Sequence, residues 1–218
     1  MSGIVGSYFN TRGSGVVAKL GADGQVFTST GAGLSQGFEA AAGGGAWTFI
    51  KSVTASADSS IDFVHGTSDV VFDSTYIAYQ LWGFHVCGGT DDKDIRLLLS
   101  TDAGSTWIEA NYDIPYHQNS GGTGNHYTRS AEAMYLADTG TNTGEKFCFV
   151  TTFYNPSQSS DYGTVSFKAT GVNAGAAGVH TQGGGAYKIV GDVDAFRIIF
   201  STGTVASGTF KLYGLSGS

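Results

Sequence analysis

Ser100-Thr101-Asp102-Ala103-Gly104-Ser105-Thr106-Trp107 follows the pattern S-x-D-x-G-x-x-W. A carboxylate two residues before a glycine accepts backbone N–H groups across a tight turn. The glycine supplies positive φ, and the tryptophan folds back over both. That spacing predicts a turn rather than a reacting centre. Gly33-Leu34-Ser35-Gln36-Gly37 satisfies G-x-S-x-G, the string of a nucleophile elbow, which requires a strand before it and a helix after it. Glycine and alanine surround it here and no helical stripe follows, so no nucleophile is predicted. Gly13-Ser14-Gly15-Val16-Val17-Ala18 matches a dinucleotide fingerprint only as letters, without the flanking strand and crossover.

Metal chemistry finds little support. His65, His85, His117, His126 and His180 never form H-x-H, H-x3-H or H-E-x-x-H. His117 and His126 flank one polar stretch and come nearest to a metal pair; the other reading is two exposed loop histidines. Asp91-Asp92-Lys93-Asp94 is oxygen-rich, as calcium prefers, but its internal lysine and missing glycine spacing favour a solvated turn. The Asp-turn motif also recurs in sialidase-like propellers, which carry several copies and an arginine cluster. This chain has one copy and four arginines. No catalytic residue, metal or cofactor is therefore expected.

Tyrosine carries the stronger signal. Tyr112, Tyr116, Tyr127, Tyr154 and Tyr162 sit in or beside polar stretches, notably His117-Gln118-Asn119-Ser120-Gly121-Gly122-Thr123-Gly124-Asn125-His126. Aromatic plates beside amides suit sugar faces or protein partners, though the same rings serve equally as caps on the edges of a sandwich. Tyr112, Tyr116, His117, Asn119, Asn125, His126 and Tyr127 form the candidate recognition loop.

The elements that must position these residues read as strands. Glycine supplies 34 of 218 residues, against a usual ~7%, while proline contributes only 2. Aromatics at 13% argue against disorder, and no apolar stripe of helical period persists over ten residues. A net charge of −7 with scattered lysines and arginines argues against nucleic acid and anionic membrane surfaces. No apolar run approaches the ~20 residues of a membrane span, and Met1–Gly6 lacks the basic and apolar regions of a secretory signal. Cys87 and Cys148 have no metal spacing and read as free thiols.

Residues 1–45 differ from the rest, with glycines punctuating short apolar pieces. Val16–Leu20 and Gln25–Thr28 flank Ala22-Asp23-Gly24, an Asp-Gly hairpin signal. Such a segment docks on its own domain or packs against other chains, and the second is favoured, as an attachment arm. From residue 46 to 218 longer alternating runs follow. Trp47, Phe49 and Val53 are expected to face one way, and Tyr76–Cys87 reads as a strand buried on both faces. Further strands are expected at Ile95–Leu99, Phe147–Val150, Thr164–Thr170, Phe196–Phe200 and Phe210–Tyr213, with polar loops at 117–126 and 171–185. The expected class is all-β: a jelly-roll-like antiparallel β-sandwich preceded by a Gly-rich extended or hairpin N-terminal arm.

Gly3–Ser7 with Arg12–Ser29 resembles the N-terminal segment of tailed-phage virion proteins, notably fibre and decoration proteins of cyanophages and other aquatic phages. Val193–Ser201 and Ala206–Gly214 are similar to the last strands of the β-sandwich in such proteins. The resemblance implies a non-enzymatic homotrimer located in the virion and assembled in the host cytoplasm. Its arm would attach to baseplate, tail or major capsid proteins, and its sandwich would contact host surface glycan or protein. Ile4, Val5, Val16, Val17, Leu20, Val26 and Phe27 are the side chains expected in a core shared by three arms. A short tail or baseplate fibre is the leading expectation. A trimeric capsid cement protein is the alternative, and a glycan-degrading depolymerase fares worst for want of an acidic motif.

Overall fold

The computed structural model describes residues 25–28, 37–40, 46–119, 123–126, 131–142 and 144–217. The chain divides into two units, residues 1–45 and 46–218. In the first, β1 (Gln25–Thr28) pairs antiparallel with β2 (Gly37–Ala40), setting Val26 against Glu39 and Phe27 against Phe38. Gly37–Ala40 is thus a strand, where a nucleophile elbow would need a helix. The expected hairpin partner Val16–Leu20, and with it Ile4 and Val5, lies outside the described residues.

The second unit is a β-sandwich. Its strands are β3 (Trp47–Asp58), β4 (Ile61–Val64), β5 (Tyr76–Gly88), β6 (Lys93–Ser100), β7 (Tyr112–Asp113), β8 (Tyr116–Asn119) and β9 (Thr123–His126). They continue with β10 (Met134–Thr139), β11 (Phe147–Tyr154), β12 (Gly163–Val172), β13 (Gly178–Tyr187), β14 (Ala195–Phe200) and β15 (Val205–Ser216). The smaller sheet has the order β10-β6-β14-β4. The larger runs β3-β15-β5-β11-β12-β13-β8-β9, with β7 also beside β13. Every pairing is antiparallel, and the described residues include no helix.

The sheets are held face to face by an aromatic cluster. Phe196 on β14 stacks on Phe63 of β4 at 4.9 Å and on Phe153 of β11 at 5.5 Å. Phe72, from the β4–β5 connection, meets Phe196 edge-on at 5.3 Å and Tyr79 of β5 at 4.4 Å. All five rings are fully buried. Each such side chain removed from water contributes about 1.5–3 kcal/mol, with ring–ring geometry adding to it. The Tyr79 hydroxyl donates to the Asp73 carbonyl at 2.6 Å and accepts from the Asp73 N–H, which ties that connection to the core. Burial pushes this phenol up to about 12.

The Ser100–Trp107 motif builds the turn its spacing predicts. Asp102 accepts from the Thr106 N–H at 2.9 Å and from the Thr106 and Ser100 hydroxyls, bonds that hold its carboxyl down at about 2. Gly104 takes φ +74°, and a Cβ there would meet the Trp107 ring at 3.3 Å. Arg197 lies 4.2 Å above the Trp107 ring while making a bidentate pair with Asp62.

Three sequence expectations are corrected here. Phe49 and Val53 do not share a face: Val53 packs on the core, whereas Phe49 is 54% exposed. The cause is a bulge, since Lys51 opposes Leu212 but Phe49 opposes the next residue, Tyr213. The polar stretch 117–126 contains the β8–β9 hairpin. Its register sets His117 against Asn125 and Tyr116 against His126, not the two histidines against each other. Gly178–Tyr187 is a strand rather than a loop, paired with β12 along its length. Its three glycines permit close approach: a Cβ on Gly183 would sit 2.6 Å from Cβ of Tyr116 and 2.7 Å from the Pro115 carbonyl oxygen.

Candidate functional site

Alternation along β5 turns Tyr79 and Leu81 into the core and leaves Gln80, Trp82 and Phe84 on the opposite face. Tyr76–Cys87 is therefore not buried on both faces. Its outer side is half-exposed at Trp82 and 38% exposed at Phe84. A bulge ends the alternation, with Phe84 and His85 together spanning the single residue Cys148 on β11. His85 adopts φ +52°, and its N–H points at the Cys148 sulfur, 3.5 Å away.

Antiparallel register aligns the outward residues of neighbouring strands into rows. One row reads Phe49, Tyr213, Gln80, Thr152, Ser166 and Gly184 from β3 to β13. The next reads Lys211, Trp82, Val150, Lys168, Gln182 and His117 from β15 to β8. A third holds Cys148, Thr170, His180 and Asn119. Strands lie ~4.8 Å apart, so the second row spans about 24 Å.

Within these rows several side chains are fixed in place. The Trp82 indole N–H donates to Gln80 Oε1 at 2.8 Å, and Gln80 Nε2 donates to the Thr152 hydroxyl at 3.2 Å. Trp82 and Phe84 stack with their ring planes nearly parallel, 7° apart with centroids at 5.9 Å, and form a partly exposed aromatic pair. Phe49 meets Tyr213 edge-on at 5.6 Å. Beside this pair a groove of about 810 Å³ runs from Gln80 to His117, floored by Thr152, Ser166, Lys168 and Gln182. A smaller hollow of about 470 Å³ lies between His117, Asn119 and His180. The lining of these depressions includes Lys168, His117 and His180 but no aspartate or glutamate, in a chain with net charge −7.

The candidate recognition loop divides. His117 and Asn119 belong to this face. Tyr116 is half-buried, lines the same groove and stacks on Tyr135 of β10 at 4.7 Å. Tyr112 is removed from the candidates, because it is fully buried. Its hydroxyl donates to the Ile108 carbonyl and accepts from the Leu99 N–H, both at 2.9 Å, so it braces the Asp-turn. Asn125 and His126 lie on β9, at the edge of the same sheet, and Tyr127 falls outside the described residues. Val26 and Phe27 are placed on β1, while Val16, Val17, Leu20, Ile4 and Val5 are outside the described residues.

The residues missed by sequence reasoning are Gln80, Trp82, Phe84, Tyr213, Lys168 and Gln182. The available signal was Gln80, an amide inside an otherwise apolar run, with aromatic residues two and four positions later. Cys87 is buried and Cys148 half-buried, and both are free thiols. Burial pushes the Cys87 thiol up. Among the described residues no group of three His, Cys, Asp or Glu converges as a metal site would require. No family model matches the chain, and neither a curated protein nor a solved structure does so.

Proposed function

We propose that the chain is a structural virion protein of a tailed phage. In this reading it is a short homotrimeric tail or baseplate fibre, whose N-terminal unit attaches and whose β-sandwich faces the host surface. The observation that carries the reading is the outer face of the larger sheet. It presents aromatic, amide and hydroxyl side chains in connected grooves without acidic residues, which suits recognition better than hydrolysis.

The strand order supports the architectural part. Counted among themselves, β3, β4, β5, β6, β10, β11, β14 and β15 fall as 1-8-3-6 in the larger sheet and 2-7-4-5 in the smaller. We read this as a double-sheet jelly roll, to which the β12–β13 hairpin and β8–β9 add an extension.

Location in the assembled particle is the decisive experiment. Antibody-labelled electron microscopy of virions should place the chain on the tail in a few dozen copies or fewer. Hundreds of copies on the capsid lattice would replace the fibre with a cement protein. Native mass spectrometry of the full chain should give a trimer, and a monomer would remove the shared-arm core. Removing residues 1–45 should leave a soluble sandwich that no longer enters particles.

A further inference from the structure

We propose that the outer face of the larger sheet, from the stacked Trp82–Phe84 pair to His117, is a binding site for an acidic oligosaccharide lying across the strands. The inference deepens the reading above and rests on it only for its biological role. Three observations converge on this ligand class.

The first is shape. The apolar C–H face of a pyranose ring packs on a partly exposed aromatic ring, and Trp82 and Phe84 supply a stacked pair of them, ordered to within 7° of parallel. Beyond them lies the open groove of about 810 Å³, which crosses β5, β11, β12, β13 and β8 from Gln80 to His117. The second is polar chemistry. Hydroxyl-rich ligands need groups that both donate and accept, and the groove offers amides at Gln80 and Gln182 with hydroxyls at Thr152 and Ser166. Gln80 is held by Trp82 and Thr152, so little of its rotamer freedom remains to be lost on binding. All these groups stand on paired strands rather than on loops, which fixes their spacing.

The third observation is charge, and it selects an acidic sugar over a neutral one. Aspartate and glutamate number 18 in the chain against 11 lysines and arginines, yet none of them lines the groove. Lys168 lies at its centre, exposed and without an ion-pair partner among the described residues. Lys211 holds the place beside Trp82 in the same row. A carboxylate or sulfate near Lys168 gains a charge-assisted hydrogen bond that a neutral hexose cannot make.

The test uses the full chain and three probes: a galacturonate hexamer, a sulfated galactan oligomer of similar length, and neutral maltohexaose. Titration is followed by calorimetry and by tryptophan emission. The expected result is binding of at least one acidic probe, weakening as salt rises, with maltohexaose at least about ten-fold weaker. Which acidic probe binds tells a carboxylated from a sulfated source. Trp82→Ala should cost on the order of ten-fold or more, the loss typical of truncating an aromatic anchor. Lys168→Glu, at an exposed position that leaves the urea midpoint unchanged, should abolish binding of the acidic probe.

Failure of both acidic probes to bind overturns the site, as does equal affinity for maltohexaose or indifference to Lys168→Glu. A chain that sits on the virion tail but binds no acidic probe loses this site and keeps its role. A chain that binds the probe but is absent from virions keeps the site and loses the role.

Discussion

Tyr112→Phe removes one oxygen atom, and its consequences separate a bracing tyrosine from a recognition tyrosine. The hydroxyl accepts from the Leu99 N–H and donates to the Ile108 carbonyl, each at 2.9 Å. Leu99 is fully buried, so its N–H loses its partner with no water to replace it. An unsatisfied buried donor costs about 1–3 kcal/mol, and the loss of the bond to the half-buried Ile108 falls within the same range. A total near ~2 kcal/mol is expected, equivalent to a Tm lower by roughly 4–8 °C for a unit of this size. Urea unfolding of the full chain is the assay, read as a lower midpoint at unchanged slope. Tyr162→Phe, at a 55% exposed ring, is the control and should stay within about 0.5 kcal/mol of the parent. If Tyr112→Phe moves the midpoint no more than this control, the bracing role is wrong. Saccharide affinity should be unchanged in both variants.

Other substitutions test other parts of the fold. Asp138 has its carboxyl raised by burial, reinforced by Asp92 and Asp94. A raised folded value means stability is greatest below the unfolded pKa of ~3.9 and falls as pH climbs through the folded one. Asp138→Asn should therefore raise the urea midpoint at pH 7 and leave it unchanged at pH 3; a lower midpoint at pH 7 contradicts the sign. Gly183→Ala forces a methyl to within 2.6 Å of Tyr116 Cβ and should cost about 1–3 kcal/mol, whereas Gly178→Ala, with open space around it, should be near neutral. Arg197→Lys gives up the bidentate grip on Asp62 and the planar contact over Trp107, for a loss of about 1 kcal/mol. A double-mutant cycle with Asp62→Asn should show coupling between the two positions, and strict additivity would refute it.

Much of the fold was legible because its signals are local. The hydrogen bonds that Asp102 and Ser100 make inside the Ser100–Trp107 turn span four residues or fewer, so spacing predicts the turn, whereas its anchors at Tyr112 and Asp194 lie farther along the chain. Alternation in Thr164–Thr170 correctly separates the outward Ser166 and Lys168 from the inward Val165 and Phe167, because β12 has no bulge. Where a bulge intervenes, the same rule fails. Phe49 and Val53 part company at the β3 bulge, and Phe84 and His85 are both exposed at the β5 bulge. Gly183–Gly185 resembles a loop in sequence because the reason for those glycines, the close backbone of Asp113–Tyr116, lies some 70 residues earlier in the chain.

The sequence by itself determined an all-β chain, the positions of several of its strands and the nature of its tight turn, since each follows from residue spacing over a few positions. Only the tertiary structure decided which strands are neighbours, and therefore which side chains stand together. Gln80, Thr152 and Ser166 are scattered over almost 90 residues and meet because β5, β11 and β12 pair in one register. Trp82 and Phe84 have the composition of core residues, and their exposure follows from the opposite face of β5 being the one that meets the second sheet. A strand has two faces, and its own residues do not say which of them another sheet will cover.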